Sequence, residues 1–230
     1  MHPETLCSRV VEHQAHIGIA HDGDADRVLL CDETGTLIDG DDIMAIASLE
    51  MLKEGTLANK TLVSTVMSNA GLEAAINGAG GKMIRTPVGD KHVIDEMLRG
   101  GFNFGGEQSG HLIFGDYGTT GDGLVAALQM LRIMKSADAS LYRLAKCWTR
   151  FPQLVTNVKV REKKPFEQLD GVSKLVADAE KELQLQGGRL LLRYSGTEPK
   201  ARLLVEGRDQ AILEKWSRSI CDAIKKQIGA

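Results

Sequence analysis

Three aspartates, Asp22, Asp24 and Asp26, alternate along the stretch IGIAHDGDADRVLLC, residues 17 to 31, with Arg27 directly behind them. Carboxylates packed this closely repel one another unless a cation sits among them. Their hard oxygen atoms suit Mg²⁺ or a similar oxygen-seeking ion. A calcium loop also begins with alternating aspartates, and Glu33 falls in the twelfth place counted from Asp22. That reading fails at Arg27, which stands where such a loop needs glycine for its sharp turn, and VLLC continues as a strand. A cation with few protein ligands fills its other positions with water or phosphate oxygen, and a neighbouring arginine can hold the same phosphate. The combination suits phosphoryl chemistry. Taken alone, the aspartates fit an exposed turn between strands equally well.

A second chemistry-bearing stretch is RYSGTEPKAR, residues 193 to 202. Gly196 permits close backbone approach, Ser195 and Thr197 supply hydroxyls, and Arg193 and Arg202 flank them with guanidinium groups. Backbone N–H groups, hydroxyls and arginines on one loop describe a phosphate cradle. Glu198 is expected to orient an arginine rather than to touch phosphate. A third stretch, GGEQSGH at 105 to 111, places Glu107, Ser109 and His111 at alternate positions among glycines, as a polyhydroxylated ligand would require. Ser109 near His111 invites a nucleophile reading, but the elbow G-x-S-x-G is absent. His111 fits a general acid or base, or a structural histidine. In TPVGDKHV, residues 86 to 93, Lys91 could meet a phosphate or a sugar hydroxyl, with Asp90 capping a helix. The Asp39–Asp42 cluster reads as helix capping, and GDYGTTGDG at 115 to 123 as a flexible loop and helix start.

These stretches need elements to position them. The 230 residues are 43% hydrophobic, enough for a sizeable core, and the net charge of -3 gives no footprint for nucleic acid. Cys7, Cys31, Cys147 and Cys221 lie far apart in sequence and read as reduced thiols. With no apolar signal-like start and no run of membrane-spanning length, a soluble cytoplasmic protein is expected. Short β-branched runs alternate with amphipathic stretches. HIGIA, TLVSTV, KMIR, FNFG and HLIF read as strands, and RVLLCD with TGTLI as a hairpin. Helices are expected through Ile43, Ile46, Ala47 and Met51, through Leu72 and Ile76, and along HVIDEML. Another starts at Asp122, where Leu124, Leu128, Leu131 and Met134 form one apolar face. From about residue 152 the strands VTNVKV, RLLLR and ARLLVEG mix with helices at LVADAEKELQ and through Ile212, Trp216, Ile220 and Ile224.

In this order the motifs resemble those of the α-D-phosphohexomutases: DGDADR is similar to the family's metal loop, GGEQSGH to its sugar-recognition loop, and RYSGTEP to its phosphate-binding loop. The resemblance covers nearly the whole chain. It implies an α/β fold, a mixed-sheet α/β domain followed by a smaller α+β C-terminal domain. It divides the sequence into 1–57, the end of the family's second domain, 58–152, its third, and 153–230, its fourth. By motif match, Asp22, Asp24 and Asp26 would hold Mg²⁺ and Arg27 would lie near a phosphoserine. Lys91, Glu107 and Ser109 would contact substrate, His111 would shuttle a proton, and Arg193, Ser195, Gly196, Thr197 and Arg202 would grip a phosphate. Gln108 and TTGDGLVAALQML point to the branch acting on hexosamine phosphates rather than on mannose or glucose phosphates. The family's serine lies in a segment of the type T-S-G-H-N-P, which these residues do not contain. The chain alone is therefore expected to be inactive, its partner an N-terminal domain bearing the phosphoserine. Strand edges exposed by that loss predict self-association. Three other readings stay open: a phosphomannomutase or phosphoglucomutase, a non-catalytic sugar-phosphate binding module, and a phosphatase with an aspartate nucleophile.

Overall fold

The computed structural model describes residues 3–230, which fall into two compact units. The larger runs up to Ser68 and over Leu72–Thr149; the smaller comprises Asn69–Gly71 and Arg150–Ala230.

The larger unit opens with α1 (Pro3–Glu12), which packs on the hairpin strands β1 (Ile17–His21) and β2 (Val28–Asp32). β3 (Leu37–Ile38) completes a three-stranded antiparallel sheet in the order β1-β2-β3. The turn from β2 to β3 is held by Asp32, whose buried carboxylate accepts hydrogen bonds from the backbone N–H groups of Thr34 and Thr36 at 2.9 Å each. α2 (Gly40–Glu54) is apolar on most of its surface, and Ile43, Met44, Ala45, Ile46 and Ala47 are all buried. A helix with that pattern belongs inside a core. Asp39 caps it, accepting from the N–H groups of Asp41 and Asp42, while Asp42 returns a bond to the Asp39 N–H at 3.1 Å. The capping role expected of this cluster is what the geometry gives.

The second sheet contains β4 (Thr61–Thr65), β5 (Lys82–Thr86), β6 (Phe104–Gly106) and β7 (Leu112–Phe114), and α3 (Ala70–Gly78) and α4 (Asp90–Gly100) connect its parallel members. The order is β5-β4-β6-β7, parallel on both sides of β4 and antiparallel between β6 and β7. The short connection between β6 and β7 therefore carries the GGEQSGH loop as a hairpin tip. Phe104 and Phe114 are cross-strand partners with ring centroids 4.4 Å apart in the core.

α5 (Gly123–Ala137) corrects one expectation. Its buried face is Ala126, Ala127, Met130 and Ile133, whereas Leu124, Leu128 and Leu131 are 59%, 54% and 37% exposed. The helix carries two apolar stripes, and the one with alanines allows close approach to α2, β2 and β7. Only Met134 of the leucine face packs against the core. α6 (Leu141–Ala145), capped by Ser140, ends the unit.

The smaller unit is an antiparallel sheet, β8 (Gln153–Lys159), β9 (Arg189–Tyr194) and β10 (Lys200–Glu206), in the order β8-β10-β9. The amphipathic helices α7 (Val172–Gln184) and α8 (Gln210–Ile228) bury Leu183, Leu213, Ile220 and Ile224 against Val158, Leu203 and Val205. Glu182 ties the helices together, accepting from Trp216 Nε1 and Lys215 Nζ, both at 2.7 Å, and these bonds hold its carboxyl below the ordinary range. At the far end of the sheet the fully buried Glu206 accepts hydrogen bonds from Arg189 and Gln153. The mixed α/β class expected from sequence is the one found.

Candidate functional site

The aspartate loop spans the tip between β1 and β2. Ala25 there adopts φ 60°, a left-handed conformation uncommon outside glycine, and its carbonyl accepts the N–H of Gly123 at 3.0 Å. The loop so bent brings one carboxylate oxygen from each of Asp22, Asp24 and Asp26 within 4.8 Å of the others. Arg27 Nε lies 3.8 Å from Asp22 and 4.0 Å from Asp26, and its backbone N–H donates to Asp22 Oδ1 at 3.2 Å.

The GGEQSGH tip is fastened directly to this loop. Arg27 and His111 form an isolated antiparallel bridge, and the Val28 N–H donates to the Gly110 carbonyl at 3.1 Å. Gly110 has φ 91°, and a Cβ there would fall 2.1 Å from the Val28 carbonyl oxygen, so no other residue fits. On the other side of the tip a Cβ on Gly40 would meet the Glu107 carbonyl at the same 2.1 Å, and the Gly40 N–H bonds to the Gln108 carbonyl. Glu107 reaches across to the third loop, accepting the Gly89 N–H at 3.0 Å. Arg27, Asp39, Thr65, Met67, Val88, Glu107, Gln108 and Ser109 thereby line one open cleft of about 520 Å³.

The electrostatics fit a cation. Asp26 is pushed above the ordinary carboxylate value, first by burial and then by Asp22 and Asp24 beside it. Burial would also raise Asp22, but the Arg27 backbone N–H, the contact with Asp26 and the Arg27 charge outweigh it and the net shift is downward. The buried Oδ1 of Asp26 has no hydrogen-bond partner among the described residues. Three carboxylates converging in this way form a donor set suited to Mg²⁺. His111 is buried with Nε2 3.5 Å from Asp26 Oδ2, its ring covered by Gly121, where a Cβ would lie 2.2 Å from Nε2.

In the smaller unit the SGT loop joins β9 to β10. Arg193 and Arg202 are direct cross-strand partners, two like charges opposed on one face. Arg202 gives one guanidinium nitrogen to Glu198 at 3.0 Å, and Lys200 bonds the same carboxylate at 2.6 Å, which holds Glu198 below its ordinary value. Glu198 orients Arg202 as expected. Arg193 has no ion pair or hydrogen bond from its side chain among the described residues, and the backbone N–H groups of Gly196 and Thr197 are likewise unused.

Sequence reasoning thus named residues that the structure gathers into two places: Asp22, Asp24, Asp26, Arg27, Glu107, Ser109 and His111 in the larger unit, and Arg193, Ser195, Gly196, Thr197 and Arg202 in the smaller. Lys91 lies in the exposed first turn of α4 and does not line the cleft. Asp39, Thr65, Met67 and Val88 line it without having been singled out for that role. The TTGDG segment, read as flexible, is packed: Gly121 against His111, and Gly123 against Arg27, where a Cβ would lie 2.6 Å from the carbonyl oxygen. Its paired glycines were the available signal.

Comparison with known proteins identifies the family. Residues 39–151 match the family described as phosphoglucomutase/phosphomannomutase, alpha/beta/alpha domain III, and residues 155–223 match that family's C-terminal domain. The chain belongs to the phosphohexomutase family. Phosphoglucosamine mutase of Geobacter metallireducens is 50% identical over 229 residues, covering 100% of this chain and 51% of that protein. The protein of the same name from Anaeromyxobacter sp. is 48% identical, with 49% of its length covered. The chain thus spans about half the length of the curated relatives it matches. Among solved structures, a phosphoglucomutase/phosphomannomutase family protein from Burkholderia thailandensis superposes with a TM-score of 0.76 at 24% identity, covering 100% of this chain and 52% of that one. An Aspergillus fumigatus N-acetylphosphoglucosamine mutase, solved with GlcNAc-6P and magnesium, gives 0.72 at 21% identity, covering 90% of this chain and 51% of that one. Among the described residues no helix is long and apolar enough to cross a membrane.

Proposed function

We propose that this chain supplies the metal-binding, sugar-recognition and phosphate-binding parts of a phosphoglucosamine mutase. The reaction interconverts glucosamine 6-phosphate and glucosamine 1-phosphate for amino-sugar and cell-wall precursor synthesis in the cytoplasm. The observation that carries the reading is the backbone bridge between Arg27 and His111, which joins the aspartate loop to the Glu107–Ser109 loop. On this reading residues 1–57, 58–152 and 153–230 are the end of the second domain, the third domain and the fourth.

Asp22, Asp24 and Asp26 would hold Mg²⁺. The ion supplies Lewis-acid stabilisation of a transferring phosphoryl group. Arg27 steers the same phosphoryl oxygens through charge-assisted hydrogen bonds. Glu107 and Ser109 orient the sugar through its hydroxyls, with Gln108 beside them favouring the amino sugar, and Lys91 adds positive charge at the rim of the 86–93 loop. His111, with Nε2 facing Asp26, moves the proton of the attacking hydroxyl. Arg193, Ser195, Gly196, Thr197 and Arg202 grip the phosphate that is not reacting. A fixed grip of this kind accepts either end of a bisphosphate that turns over between the two half-reactions. The phosphoserine that starts the cycle comes from a T-S-G-H-N-P segment outside these 230 residues.

Phosphorus NMR of glucosamine 6-phosphate with this chain, Mg²⁺ and a hexose 1,6-bisphosphate tests the reading. The expected result is a titrating phosphate signal without turnover, and turnover once the chain is joined to the N-terminal half of a relative. Formation of the 1-phosphate by the chain alone would overturn the missing-serine claim; a joined protein that converts only mannose or glucose phosphates would overturn the amino-sugar assignment.

A further inference from the structure

The SGT loop is not free-standing. A strap formed by residues 160 to 166 runs beside it and is tied to it at four points. The Val160 N–H donates to the Pro199 carbonyl at 2.9 Å, and the Tyr194 hydroxyl donates to the Lys164 carbonyl at 2.5 Å. Phe166 stacks on the Tyr194 ring with centroids 4.2 Å apart and planes 12° from parallel. Between these ties, Lys163 Nζ donates to the Ser195 carbonyl at 2.6 Å. Lys163 otherwise makes no ion pair among the described residues, while its neighbour Lys164 pairs with Glu162 at 3.0 Å.

Ser195 is where the chain leaves β9 and begins the loop. Its N–H bonds to the Lys200 carbonyl and its buried Oγ accepts the Glu198 N–H, so the carbonyl is the group of Ser195 left for an outside donor. An ammonium bound there fixes the peptide plane that joins Ser195 to Gly196, and with it the direction of the Gly196 N–H. The same ammonium has two further N–H donors and a positive charge beside a loop two of whose own cations, Lys200 and Arg202, are partly neutralised by Glu198.

Building on the phosphate-grip reading above, we propose that Lys163 is a positioning residue of that grip: it holds the Ser195–Gly196 peptide in the anion-binding orientation and adds a charge that favours a phosphate monoester dianion. Nothing in the motif RYSGTEP announces it, because it enters from thirty-two residues upstream.

The test is titration of the full chain with inorganic phosphate and with glucosamine 6-phosphate, followed by phosphorus NMR at several NaCl concentrations. Wild type should bind, and Arg193→Ala should weaken binding about tenfold, the size of a lost charge-assisted contact. Lys163→Gln should weaken it about fivefold and flatten its salt dependence, and Lys163→Arg should restore most of both. Wild-type affinity and salt dependence in Lys163→Gln, with Arg193→Ala impaired, would overturn the role of Lys163 while leaving the grip intact. A loss in Lys163→Gln with unchanged salt dependence and no recovery in Lys163→Arg would make the residue merely structural and overturn the role as well. Indifference of binding to Arg193→Ala would remove the grip itself and the proposal with it. Unfolding midpoints of each variant separate these outcomes from loss of fold.

Discussion

The two candidate sites are built in opposite ways. In the larger unit the site is assembled from the segments near residues 22–27, 39–40, 89, 105–111 and 121–123, which meet through backbone contacts at glycines. In the smaller unit a single hairpin from Arg193 to Arg202 supplies nearly everything, and one strap braces it. The charges are opposite too. The first site concentrates carboxylates that repel one another, and the second concentrates guanidinium groups that do the same. Each carries unbalanced charge of one sign, which costs stability unless an ion of the other sign joins it. An assembled site depends on the closeness of several segments, so it should fail at a glycine. A hairpin site depends on the sheet beneath it, so it should fail at the sheet's anchor.

The largest effect is expected at that anchor. Glu206→Ala removes the fully buried carboxylate that accepts from Arg189 and Gln153 and should cost about 3–5 kcal/mol in urea unfolding. It should abolish phosphate binding while leaving Mn²⁺ binding at the aspartate loop, read by water-proton relaxation, unchanged. Equal loss of both would break the contrast between the two sites. Next comes Gly110→Ala, which forces a Cβ against the Val28 carbonyl and a residue with a side chain into φ 91°. A cost of about 2–4 kcal/mol is expected, with loss of Mn²⁺ binding but retained phosphate binding.

The smallest effect concerns pH. Asp26 holds its proton more tightly in the folded chain than an ordinary carboxyl does. The metal-free fold therefore gains from Asp26 at low pH and loses that gain as pH rises through its raised folded value. Metal binding must displace the same proton, so Mg²⁺ affinity should climb as pH rises from the ordinary carboxylate value of 3.8 through the raised one. Calorimetric titration at several pH values measures this, and a flat profile would remove Asp26 from the ligand set.

The contrast also explains what could be read before folding. The hairpin site was legible almost whole, because neighbours in its sequence are neighbours across a β-turn. Even there the cross-strand opposition of Arg193 and Arg202 needed the register, and Lys163 needed the strap. Of the assembled site, the aspartates and the Glu107–His111 loop announced themselves by residue type. Asp39 was read only as a cap, although its place at the start of α2 also puts it in the cleft wall. Gly40, Gly121 and Gly123 carry no chemistry of their own, and their role is to let backbones approach. The misread face of α5 has the same origin: alanines decide which stripe goes inside, because they let the helix come closer than leucines would.

The bridge between Arg27 and His111 makes the two loops one piece of backbone. Ligands that settle on such a piece cannot act independently. If a cation binds among the aspartates and a sugar at Glu107 and Ser109, as proposed, the factor by which the first tightens the second must equal the factor by which the second tightens the first. On the proposed reading, metal and sugar would thus be linked thermodynamically through the hydrogen-bonded ends of two strands.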